Sequence, residues 1–296
     1  MSQVTTRRRR GSRLASGERL ALTGPGLLYL TVFMAVPLVL VLVYAFFQRG
    51  RFGGIVWTPT LDNFVRALDP VYVSVLGSSL VIAGITTLLA VLLGYPVAYG
   101  IAKLPARWRT VALVLVVLPF WTNFLIRTYA WIVLLNSEGP FNKALLGLGI
   151  VDEPLGLLYT PGAVIVGLLY AYLPLMILPL YASIERLDPQ LREAASNLGA
   201  TPWRTFRDVT LPLTFPGVLT GCLFVFVPSL GNFVVPELLG GGKTVMVGNL
   251  IRDQFLKARD WPFGATLAIV VIAFLVLLFV LQSWASRRVS GGGRDA

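Results

Sequence analysis

Six stretches of this chain contain no Asp, Glu, Lys or Arg: 20–48, 71–102, 110–126, 154–184, 209–236 and 261–286. Five of them are 26 residues or longer, and the third is cut at 17 by Arg127, after which apolar sequence resumes to Leu135. The hydrocarbon core of a bilayer takes about 20 apolar residues per helix. The pattern therefore predicts six membrane-spanning helices, at roughly 26–47, 73–99, 111–135, 161–183, 212–235 and 264–284. The expected architecture is an all-α integral membrane bundle. Residues 1–25 form a basic tail, 26–285 the six-helix domain, and 286–296 a second tail whose "VSGGGRDA" reads as a flexible finish. No soluble domain and no internal repeat stand out. Pro37, Gly94, Pro174, Pro179, Pro216, Gly221, Pro228 and Gly231 fall inside the spans, where such residues permit close packing and kinks.

Polar connections carry weaker patterns. Phe141, Leu145 and Leu148 recur at helical spacing, as do Val247, Leu250, Ile251 and Phe255. These read either as short helices along the membrane interface or as loops packed on the spans.

Composition agrees with lipid as the solvent. Only 13% of the 296 residues are charged and mean hydropathy is +0.76, against about 25% charged in soluble domains. There is no His, which excludes imidazole metal sites and His general bases. Cys222 is the single cysteine, so no intrachain disulfide forms. The formal charge of +11 is concentrated partly at Arg7, Arg8, Arg9, Arg10, Arg13 and Arg19, ahead of the first span. At 22 residues that span exceeds the roughly 7–15 of a signal-peptide core, so a retained anchor is expected. With the N-terminus inside, inner segments hold 16 Lys and Arg and outer ones 8. This bias predicts both termini on the cytoplasmic side.

The polar segment "LREAASNLGATPWRTFRDVTLPL", 191–213, lies on that inner side. Asp188 with Pro189 is a helix start, because the carboxylate caps free N–H groups and proline costs nothing at the first position. Leu191, Ala194, Ala195 and Leu198 share one face. Gly199 stands where a left-handed residue ends a helix, and Thr201 with Pro202 starts the next, which runs into the fifth span. The alanines keep the first face narrow, open to close approach by another backbone.

Within it, Glu193-Ala194-Ala195, Gly199, Val209 and Leu211-Pro212 keep the spacing of a known signature. The segment resembles the cytoplasmic loop of permease subunits in binding-protein-dependent ABC importers, with Val209 in place of the more usual Ile. "LPFWTNFLIRTYAWIVLL", "YLPLMILPLYASIERLD", "FVVPELLGG" and "GNLIRDQF" further resemble the spermidine/putrescine permease branch, with Glu237 where that branch often has Asp. The resemblance implies a permease of the bacterial cytoplasmic (inner) membrane, forming half of a pathway for a small organic cation. It implies that the loop, about 184–211, docks on an ATPase subunit. It also implies a second permease, an ATPase dimer that binds the ATP and Mg, and an extracytoplasmic binding protein. No cofactor is expected in this chain. Two alternatives stand: a related permease for another solute such as an amino-acid derivative, and a self-sufficient secondary transporter or channel.

Two decoys fail on chemistry. A helix–turn–helix also suits DNA, but 184–208 holds four basic and four acidic residues and so has no cationic footprint. "ELLGGGKT" ends like a phosphate-binding loop but has Glu237 where the first glycine belongs. For the substrate path, Arg127 is the one charge within a span. On a continuous helix it shares a face with Phe120, Asn123, Phe124 and Trp131, aromatics that suit a cation path or an interfacial belt. Asn232 sits among Pro228, Gly231 and Pro236 before Glu237. Glu237 reads as a contact for an organic cation, a partner of Arg127, or a surface residue.

Overall fold

The computed structural model describes residues 16–291, with side-chain positions for 23–284. The arginines at 7–10 and 13 and the final residues 292–296 lie outside the described residues. Among the described residues, five helices are long and apolar enough to cross a membrane: Thr23–Tyr44, Pro70–Lys103, Pro161–Glu185, Pro202–Gly231 and Trp261–Trp284. Two further helices, Ala106–Trp121 and Phe124–Gly147, are bent by 90° at their junction and make a sixth crossing if the pair counts as one span. The starts follow from local chemistry. Asp69 accepts from the Val71 N–H ahead of Pro70, and Thr160 from the Ala163 N–H ahead of Pro161.

The bend corrects the single third helix expected at 111–135. Leu118–Trp121 is a 3-10 turn opened by Pro119, and Thr122 and Asn123 are extended. Proline cannot donate to the preceding turn. The Asn123 side chain accepts from the Leu125 N–H at 2.8 Å and starts a new helix. Phe120 and Arg127 therefore belong to different helices, not to one face of a continuous one.

The second, fourth and fifth spans form the centre. Ala90, Tyr95, Ala98, Met176, Leu180 and Val225 are buried together there. Small residues permit the approach: a Cβ at Gly217 would strike Ser183, and one at Gly221 would strike Met176. Thr86, Thr87 and Thr214 donate their hydroxyls to carbonyls one turn back, as a medium without water requires. Tyr95 and Thr214 share a hydrogen bond of 2.8 Å between the second and fifth spans. The first span is different: its most apolar window has no buried share, and it rests along the sixth.

A further departure is a two-stranded antiparallel hairpin, β1 (Phe47–Arg49) and β2 (Ile55–Pro59), where the first span was expected to continue to 47. Gly53 and Gly54 turn the chain at positive φ, and aromatic and β-branched residues suit the strands. Both outer-loop patterns are helices, Pro140–Gly147 and Val247–Leu256.

Asp260, 1% exposed, ties this end together. Arg66 donates to its carboxylate at 2.8 Å and lies 3.9 Å from the centre of the Phe263 ring. The Phe263 N–H donates to the same side chain. Asp260→Ala removes an ion pair and a helix cap and is expected to cost about 3 kcal/mol. Asp260→Asn keeps the cap and is expected to cost about 1 kcal/mol less. Thermal unfolding of the purified variants checks the order, and equal melting temperatures would remove the cap from the account.

Candidate functional site

The segment 188–212 folds as its residues predict. Asp188 accepts from the Gln190 N–H at 2.9 Å and starts the helix Pro189–Asn197. Gly199 has φ +80°, and the Ala200 N–H donates to the Ala195 carbonyl at 3.0 Å. Thr201 then accepts from the Arg204 N–H, and one helix runs from Pro202 to Gly231 through a wider turn at Phe206–Thr210. Phe206 fixes this second helix to the bundle, with its ring edge-on to Tyr95 and Tyr99 and stacked with Trp203. Val209 lies in the wide turn, Leu211 packs against the central core, and Pro212 is exposed.

The first helix has the opposite character. Glu193, Ala194, Leu191 and Leu198 are exposed, and Leu198 reaches 88%. Apolar side chains thus stand in the open on an element anchored from behind.

The proposed path residues separate into two groups. Arg127 stays near both aromatic rings despite the break: its guanidinium carbon is 5.6 Å from the centre of Phe120 and 5.7 Å from that of Phe124. Its Nε and Nη1 are buried without a hydrogen-bond partner among the described residues. Tyr172 of the fourth span lies within electrostatic reach of Arg127. The Tyr172 hydroxyl accepts from the Asn232 side chain at 2.7 Å. Asn232 also accepts from the Val235 N–H, which starts the helix Val234–Gly240 after the fifth span ends. The Asn232 side chain at the break therefore finds its partners within the chain. Trp131 turns its edge to Tyr170 rather than joining the Arg127 cluster.

Glu237 belongs to the second group. It accepts from Arg252 at 2.9 Å and from Asn249 at 3.2 Å, so the suggested pair with Arg127 does not form. Long side chains from elements 15 residues apart make this pair, and no local pattern announces it. In the same cluster, Asp253 is held below its ordinary carboxylate pKa. Burial works in the other direction, but hydrogen bonds from Lys257 and Arg252 outweigh it. Tyr172 was also missed: one tyrosine among the aromatics of its span carries no spacing signal. Among the described residues no group of His, Cys, Asp and Glu gathers that could hold a metal ion.

Known proteins share this architecture. The family of binding-protein-dependent transport system inner membrane components matches residues 90–291. The spermidine/putrescine transport system permease protein PotB of Escherichia coli (strain K12) is 44% identical over 259 residues, covering 88% of this chain and 94% of that protein. PotB of Haemophilus influenzae is 42% identical over the same length. A subunit of a bacterial ABC transporter that imports the acidic polysaccharide alginate superposes with a TM-score of 0.76 over 92% of this chain and 96% of that one, at 18% identity. At that identity the likeness concerns the fold alone. The chain belongs to the binding-protein-dependent transport system inner membrane components, as a multi-pass protein of the inner membrane.

Proposed function

We propose that this chain is the permease subunit of an ATP-driven importer for spermidine and putrescine, and that it forms half of the translocation pathway. The observation that carries the substrate is its 44% identity with a spermidine/putrescine permease along 88% of its length. A second permease, a separate ATPase dimer and an extracytoplasmic binding protein complete the assembly. Both termini and the 184–211 loop face the cytoplasm, in keeping with the two-to-one bias of Lys and Arg.

The helix Pro189–Asn197 is the part that docks on the ATPase. Support comes from its exposed Leu191 and Leu198, from Glu193 on the open face, and from the rigid seat of Phe206 behind it. Ala194 and Ala195 leave room for a partner's backbone, Gly199 sets the turn, and Val209, Leu211 and Pro212 pass the motion to the fifth span. The substrate path runs past Phe120, Phe124 and Arg127 at the bent crossing and past Asn232 at the end of the fifth span. Asn123 and Trp131 hold that crossing in shape. Glu237 contributes to the extracytoplasmic mouth through Arg252.

Uptake of labelled putrescine and spermidine into proteoliposomes tests this reading. Accumulation is expected only when ATPase, second permease and binding protein are present together. Accumulation by this chain alone would reject an importer in favour of a self-sufficient transporter.

A further inference from the structure

Where the second span ends and the third begins, a small, partly open cavity of about 130 Å³ lies beside the helix Pro189–Asn197. Its charged lining is lopsided. Lys103, Arg109 and Arg192 face it with a single acid, Glu185. That carboxylate is already engaged, accepting from Arg109 Nη1 at 2.8 Å. The other Arg109 terminal nitrogen donates to the carbonyls of Ala102 and Leu104 and so closes the second helix. Arg109 Nε is buried with no partner among the described residues. Lys103 holds its ammonium 4.3 Å from the centre of the Tyr99 ring. Asp188 caps its own helix, and Glu193 lies in the wider groove beyond, which Lys103 and Arg192 also line.

Within the cavity's own lining, three cations against one acid leave two positive charges over, around a space with room for a tetrahedral anion. Like charges crowded at the edge of a low-dielectric bundle repel, and the arrangement is relieved by an anion with several acceptor oxygens. Arginine and lysine together are the side chains that bind phosphate. We propose that this cavity binds a phosphate-bearing anion, held by Lys103 and Arg192, with Arg109 adding its charge from the cavity wall. The helix ends lie where a membrane meets water, so a lipid headgroup and free phosphate both have access. Arg192 belongs to the helix Pro189–Asn197, so the occupant would also brace that helix against the ends of the second, third and fourth spans. This consequence rests on the coupling role proposed above; the binding itself does not.

The test uses the full chain in phosphatidylcholine nanodiscs with and without phosphatidylglycerol, read by native mass spectrometry of retained lipid. A second arm adds inorganic phosphate and reads the melting temperature. Wild type is compared with Lys103→Gln/Arg192→Gln, which leaves Arg109 and its helix closure intact. Lys143→Gln, at the opposite end of the bundle, controls for bulk charge. Each basic residue near an anionic surface contributes about fivefold in affinity, so in the lipid arm the double variant is expected to lose about 25-fold and the control at most about fivefold, while in the phosphate arm the control loses nothing. Loss confined to the lipid arm identifies a headgroup, and loss confined to the phosphate arm identifies free phosphate. Equal behaviour of wild type and double variant in both arms overturns the site. Leu198→Ser, which tests the coupling face at an exposed side chain that does not line the cavity, is expected to change neither arm, so failure of one proposal is distinguishable from failure of the other.

Discussion

Gly199→Val is expected to reduce substrate-stimulated ATP hydrolysis of the reconstituted importer at least tenfold while leaving membrane insertion normal. The residue sits at φ +80° with no atom within 4 Å of the place where a Cβ would stand. The effect is therefore backbone strain and not collision. A left-handed residue other than glycine costs roughly 1–2 kcal/mol, and a β-branched one more. The loop is short and exposed, so the cheapest relief is to leave the left-handed conformation. That breaks the bonds from Gly199 to Ser196 and from Ala200 to Ala195 and swings the helix Pro189–Asn197 away from the Phe206 seat. A graded series separates strain from bulk. Gly199→Asn should keep most activity, because asparagine tolerates this conformation. Gly199→Ala should fall between, and valine should be worst. Measured ATPase activity and co-purification of the ATPase report the order. Valine at wild-type level, or an order that follows side-chain size, would remove the turn from the mechanism.

This segment was legible because each of its signals is local. Asp188-Pro189, Gly199 and Thr201-Pro202 determine helix ends within three or four residues, whatever the rest of the chain does. The spans were legible for a related reason: length and apolarity suffice when lipid is the solvent. The break at 118–123 was not read, although Pro119 and Asn123 were in plain view. A run without charges looks continuous, and proline is common in membrane helices that do not break. What decides here is that Asn123 can start a second helix four residues after Pro119. The hairpin after the first span was hidden in the same way, behind an apolar run that extends past the last helical turn at Tyr44. Pairings such as Glu237 with Arg252, Tyr172 with Asn232 and Arg66 with Asp260 depend on how the spans pack. The sequence left Glu237 open between a cation contact, a pair with Arg127 and a surface position, and the packed structure gives it to Arg252.

That reassignment sharpens what Arg127→Gln should do. The arginine is a charge within the membrane, which costs about 2.5–3.5 kcal/mol near a helix centre. The rings of Phe120 and Phe124 offset about 1–2 kcal/mol of this. Two guanidinium nitrogens remain buried without a partner among the described residues, and Glu237 is engaged elsewhere. The balance calls for an anion from outside the chain, and two sources are available. One is an acidic side chain of the second permease; the other is an anionic substrate. A polyamine in the path would be repelled by a bare Arg127, and the repulsion strengthens as the local dielectric falls. On the assembly proposed above, a polyamine importer takes that anion from a carboxylate of the second permease. Removing one partner of a buried pair costs about 3–5 kcal/mol, because the other charge is left uncompensated. Arg127→Gln is thus expected to lower recovery of the paired permeases at least tenfold, with no selective gain for anionic solutes. An anionic substrate predicts the reverse: assembly intact and a raised half-saturating concentration. Co-purification of the two permeases, together with putrescine and spermidine uptake competed by acidic amino acids, separates the two. Intact assembly with competition by the acidic compounds alone would overturn the polyamine assignment. Lost assembly, with uptake still competed only by polyamines, would place Arg127 at the seam between the two permeases.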